Sequence, residues 1–139
     1  MEVELEKIMD DIDKYKLHDL STDIIKNRKN EILNQILDEN ELNKYKDILE
    51  EYRYVDEVDE LRIGSYIRYF VLKNEKGKEE LKLMRGGFIV DIIASKGDIM
   101  ILCRNNNNFW KIKINNCVIF QKNTKQEEVL IKILDHLKD

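Results

Sequence analysis

The spacing of apolar residues changes period partway along the chain. Residues 2 to 17 place Leu5, Ile8 or Met9, Ile12 and Tyr15 at helical spacing among acids and lysines, which predicts a one-faced helix. A polar break from His18 to Asp23 follows, in which Ser21, Thr22 or Asp23 can serve as a cap. The next helix is expected to run to about Leu37 with Ile25, Ile32, Leu33, Ile36 and Leu37 as its stripe. Asp38-Glu39-Asn40 then opens a shorter helix carrying Leu42, Tyr45, Ile48, Leu49 and Tyr52. Each stripe is too narrow for a fully buried helix, so these helices are expected to pack on one another or on the β structure that follows.

From Leu61 the period falls to two. Residues 52 to 64 read as a connector rich in acids. Ser65 to Leu72 then alternates Ile67, Tyr69 and Val71 with Tyr66, Arg68 and Phe70, so both faces of this strand are partly apolar. Beyond a charged loop around Gly77, Leu81 and Leu83 alternate with Lys82 and Met84. Gly86-Gly87 marks a corner, and Phe88, Val90, Ile92 and Ala94 alternate with Ile89, Asp91 and Ile93. Residues 99 to 115, IMILCRNNNNFWKIKIN, predict a hairpin. With the turn centred between Asn106 and Asn107, Cys103 faces Trp110, Ile101 faces Ile112 and Ile99 faces Ile114, while Met100 and Leu102 face Lys113 and Lys111. Asparagine tolerates the positive φ that such a turn requires. A last strand, Cys117 to Gln121, can turn either face inward. Thr124-Lys125-Gln126-Glu127 is a capping-box pattern opening a final helix with Val129, Leu130, Ile133, Leu134 and Leu137 on its apolar side.

These elements predict an α+β chain: N-terminal helices, a small five-stranded antiparallel SH3-like or Tudor-like barrel, and a C-terminal helix. A split antiparallel sheet is the competing arrangement. The expected organisation is an acidic helical arm or cap over residues 1–52, a basic small β-barrel over 53–122, and a helix over 123–139 packed on the barrel. At 139 residues the chain can bury an ordinary core without a metal or a disulfide. Cys103 and Cys117 sit in apolar runs as expected of buried free thiols. No run approaches the roughly 20 apolar residues of a membrane span, and the acidic N-terminus has no apolar leader core, so a soluble cytoplasmic protein is expected.

Charge is unevenly distributed. Residues 1 to 61 carry 19 acids against 9 bases, and residues 62 to 122 carry 5 acids against 12 bases. Such asymmetry suits a polyanion partner for the basic part, and it equally suits attraction between the two halves, within one molecule or between copies.

Catalytic chemistry has little to draw on. His18 and His136 stand in helical or helix-edge context without a Cys, Asp or Ser at triad or metal spacing. No phosphate-cradling glycine loop or zinc-protease motif occurs. Asp91, a lone acid in an apolar strand, is expected to point outward and pair with Arg68 or Arg104. The expectation is therefore no catalytic residue, no metal, no cofactor and no small-molecule substrate. The candidate binding surface is a mixture of rings and cations on the strand faces opposite the core: Tyr66, Arg68, Phe70, Arg104, Phe109, Lys111 and Lys113. Protein-binding surfaces use Tyr, Phe and Arg as anchors, and readers of unpaired nucleic acid use rings to stack bases and cations to track phosphates. A protein partner, or self-association through the helices, is the leading expectation, with nucleic acid as the alternative; an equally weighted reading is that the flanking helices cover Phe70, Met84 and Phe109 and leave an ordinary solvated lysine face.

Three stretches, Glu60-Leu61-Arg62-Ile63-Gly64-Ser65-Tyr66-Ile67-Arg68-Tyr69-Phe70, the corner Gly86-Gly87-Phe88, and Phe109-Trp110 through Phe120-Gln121-Lys122, resemble a small domain of proteins from nucleocytoplasmic large DNA viruses. The resemblance covers roughly residues 53 to 122. It implies a viral accessory or virion-associated protein located in host cytoplasm or virion, and it brings no catalytic residues with it.

Overall fold

The computed structural model describes residues 21–72 and 81–138. The helix predicted over residues 2 to 17, His18 and the loop around Gly77 lie outside them. The described elements are α1 (Thr22–Ile36), α2 (Glu39–Ile48), β1 (Tyr52–Val55), β2 (Tyr66–Val71), β3 (Gly87–Ser95), β4 (Asp98–Asn105), β5 (Asn108–Lys113), β6 (Cys117–Lys122) and α3 (Lys125–Lys138). Short 3-10 turns occupy Val58–Glu60 and Ile114–Asn116. No described helix is long and apolar enough to cross a membrane.

The strands form one antiparallel sheet in the order β1-β6-β2-β3-β4-β5. The chain is thus α+β, but its sheet has six strands rather than five and is open between β1 and β5. The additional strand is Tyr52–Val55, inside the stretch read as a connector. Acids on both sides of it, Glu50 and Glu51 before and Asp56 and Glu57 after, hide its four-residue alternation. Residues 81 to 86 contribute only the isolated bridge of Leu83 to Phe70 before β3 begins at the second glycine of the corner.

The sheet is strongly curled. Trp110 Nε1 on β5 donates to the Tyr69 hydroxyl on β2 at 2.8 Å, although β3 and β4 lie between them in the sheet order. On a flat sheet those strands would stand about 14 Å apart. Curling brings Val55, Leu61, Ile67, Tyr69, Ile89, Ile101, Cys103, Ile112 and Ile119 into one inner core. On the other face, Leu33, Leu37, Tyr45 and Leu49 of the helical segment pack on Tyr52, Phe70, Leu83, Val118 and Phe120. Strands β1, β6 and β2 are therefore apolar on both faces, which explains the mixed alternation of residues 65 to 72.

Polar side chains hold the helices in place. Within the buried stripe of α1, Lys29 is only 7% exposed, and its Nζ donates to the carbonyls of Leu49 (2.8 Å) and Tyr52 (3.0 Å) where α2 ends. An ammonium is well matched to that negative helix end, though burial lowers its pKa from the ordinary lysine value. Asp38 caps α2 through the Glu41 N–H, and Asp135 of α3 accepts from the backbone and hydroxyl of Thr22 at the start of α1. The capping box is present, with Glu127 Oε1 accepting from Thr124 N–H and Thr124 Oγ1 accepting from Glu127 N–H. Glu127 also forms a buried ion pair with Arg53, Nη2 to Oε2 at 2.5 Å, tying α3 to β1.

Candidate functional site

The β4–β5 hairpin has the expected register, with Cys103 opposite Trp110, Ile101 opposite Ile112 and Leu102 opposite Lys111. Asn106 takes the positive φ of the turn, +57°. Strand β3 departs from strict alternation. A bulge between Ile89 and Asp91 inserts one residue, so Ile89 and Ile92 both join the inner core while Phe88 and Val90 stay exposed. The expected grouping of Phe88, Val90, Ile92 and Ala94 on one face is corrected accordingly.

Register then lines up four side chains across four strands. Tyr66 pairs with Phe88, Phe88 with Arg104, and Arg104 with Phe109. The Tyr66 and Phe88 rings meet edge to face at 5.0 Å, and the Arg104 guanidinium lies 5.6 Å from the centre of the Phe109 ring. Phe88 and Phe109 are 52% and 57% exposed. The helices cover this same sheet face over β1, β6 and β2, and the row emerges where that cover stops, at half-buried Tyr66.

Of the seven expected surface residues, Tyr66, Arg104 and Phe109 come together in this row, and Lys111 follows Phe109 on the same face. Lys113 sits farther along, 4.0 Å from Asp98. Arg68 is half-buried and donates from Nε to the Met84 carbonyl at 3.3 Å. Phe70 is no surface residue at all: it is fully buried, edge-on to Tyr45 and Phe120. Strand periodicity put it on the face of Tyr66 correctly, but only the packing of α2 reveals that this end of β2 is covered. Phe88 takes its place in the exposed row, and the bulge that displaces it leaves no signature in the alternation. Asp91 pairs with neither arginine; its Oδ1 accepts from the N–H of Ile92 at 2.8 Å. His136 is exposed on α3.

On the inner side of the same corner lies a cavity of about 310 Å³ lined by Tyr69, Met84, Arg85, Asn105, Asn106, Asn108 and Trp110. The two glycines make it possible by letting rings lie against the backbone on opposite sides. A Cβ on Gly86 would meet the Ile67 carbonyl oxygen at 2.5 Å as well as the Tyr66 ring, and one on Gly87 would meet Trp110 Cη2 at 2.6 Å. Burial pushes the Tyr69 phenol up, against the opposing effect of the Trp110 hydrogen bond. Cys103 and Cys117 are free thiols, both pushed up to about 11 by burial, which makes them poor nucleophiles near neutral pH.

Fold and site together define an α+β chain built on a curled, open six-stranded sheet, with an exposed aromatic and arginine row at one corner. Over 81 residues the chain is 31% identical to an uncharacterized protein of Acanthamoeba polyphaga mimivirus, which relates it to a giant-virus protein. The matched part is 58% of this chain and 50% of that relative, so the chain spans about half the relative's length. No protein-family model matches the chain, and no solved structure does.

Proposed function

We propose that this chain is a non-enzymatic protein-contact module. Its binding face is the uncovered half of the sheet, centred on Tyr66, Phe88, Arg104 and Phe109. The observation that carries the reading is the exposure of this row beside the half-buried aliphatic side chains of Ile93, Met100 and Leu102, with Lys111 and Lys113 at its edge. Aliphatic surface adds nothing to base stacking, whereas rings, Met and Arg within an apolar patch are the composition of a protein interface.

The cations favour an acidic partner with an apolar face. The spacing of residues 2 to 17 predicts such a segment in the chain itself, so assembly of two copies is the specific form proposed. The curled sheet is read as an SH3-like or Tudor-like small barrel left open and widened by β1; the mimivirus relative supports a viral context only, within which an accessory or virion-associated role is the reading proposed.

The test is the solution mass of the full chain across concentration, together with titration of a labelled peptide of residues 1–20. Self-association and peptide binding are expected, both lost in Phe88→Ala/Phe109→Ala with the fold retained. A monomer at all concentrations that ignores the peptide refutes the assembly. The stacked Arg104 and Phe109 support a second reading, binding of unpaired nucleic acid; its mark would be log affinity falling with log salt at about −0.7 per phosphate neutralised.

A further inference from the structure

We infer that the cavity inside the Gly86-Gly87 corner is a binding site for a single nucleobase carrying a phosphate. Three features of its lining match three parts of that ligand. Half-buried Trp110 supplies an aromatic wall, and its 2.8 Å hydrogen bond to the hydroxyl of buried Tyr69 fixes the indole before anything binds. A ring held this way is a stacking partner for any base. Asn105, Asn106 and Asn108 supply carboxamides, whose paired donor and acceptor match the edge of a base. Asn105 is already anchored, donating from Nδ2 to the Gly86 carbonyl at 2.8 Å, which leaves its own carbonyl oxygen as an acceptor. At the rim, Arg85 is exposed and forms no ion pair among the described residues, so its guanidinium is available to an anion.

The cavity, about 310 Å³, lies at the small end of ligand pockets and suits one nucleotide rather than a duplex. Met84 closes the apolar side, and Tyr69 adds a hydroxyl whose hydrogen has no acceptor among the described residues. The site lies on the opposite side of the corner from the exposed row and does not depend on the protein-contact reading.

The chain's one tryptophan lines this cavity, so its fluorescence reports occupancy directly. The full chain is titrated with adenosine 5′-monophosphate, guanosine 5′-monophosphate, adenosine, ribose 5-phosphate and a tetranucleotide of adenylate. Saturable quenching by a nucleoside monophosphate is expected, with ribose 5-phosphate silent. Arg85→Ala should weaken the nucleotide by about tenfold, the ratio a charge-assisted hydrogen bond carries, and leave adenosine unchanged. Asn108→Ala, at the exposed first residue of β5, should weaken nucleotide and nucleoside alike. A tetranucleotide that binds tenfold tighter than the monomer assigns the site to a strand, and equal binding assigns it to free nucleotide; both uphold it. Absence of saturable quenching up to about 5 mM, where affinity is already negligible, overturns the inference. So does quenching unaffected by both substitutions.

Discussion

Replacing Arg53 by methionine would leave the Glu127 carboxylate stranded in the seam between β1 and α3. In the native protein Arg53 is 7% and Glu127 2% exposed, and they meet at 2.5 Å. Arg53 also donates from Nη1 to Asn123 Oδ1 at 2.8 Å. Removing one member of a buried pair costs about 3–5 kcal/mol, because the remaining charge loses its counterion in a poorly hydrated place. Glu127→Gln in the native background should also destabilise, by up to about 3–5 kcal/mol, since it strands the buried Arg53 guanidinium, a loss softened only by the Asn123 acceptor that Arg53 keeps and by a carboxamide oxygen that can still accept from Thr124 N–H. In the Arg53→Met background the same Glu127→Gln change should stabilise, because it removes the uncompensated charge. This reversal of sign is the diagnostic, measured by urea unfolding of the four proteins at constant pH and ionic strength with matched slopes. Equal destabilisation by Glu127→Gln in both backgrounds would refute the argument that charge burial dominates the seam.

Three further outcomes follow from the geometry. Ile112→Ala should cost about 2–5 kcal/mol in chemical unfolding because Ile112 is in the inner core, while Lys111→Ala, one residue earlier on the exposed face, should change stability by under roughly 0.5; comparable losses would refute the register. Gly87→Ala should destabilise by about 1–3 kcal/mol and shift Trp110 emission, since the new methyl would sit 2.6 Å from the indole and 3.1 Å from the Arg104 carbonyl oxygen; an unchanged spectrum and stability would contradict the packing of the corner. The thiols at Cys103 and Cys117 should lower stability as pH rises. Their native values of about 11 exceed the ordinary 9.0, so their contribution is complete below pH 9 and is lost between 9 and 11 as the unfolded chain ionises first. Cys103→Ala/Cys117→Ala should flatten unfolding free energy across that window, and an unchanged slope would count against burial of the thiols.

Local pattern alone determined the helices from Thr22 and Glu39, the capping box at Thr124, and the register of the β4–β5 hairpin, because capping and alternation act between residues close in sequence. Separation of the acidic and basic parts was equally readable from the chain. Long-range packing decided the rest. Arg53, which lies in the stretch read as a connector, is buried against a glutamate 74 positions later in the chain, and Lys29 sits inside an apolar stripe because a helix end brings carbonyls to it. A one-residue bulge reversed Phe88 into the exposed row, and α2 covered Phe70 on the face that periodicity had left open. The cavity joins Tyr69 of β2 to Trp110 of β5 across the curl of the sheet, and no spacing along the chain encodes that approach. Periodicity specifies which side of a strand a residue occupies; only the tertiary structure specifies what lies against that side.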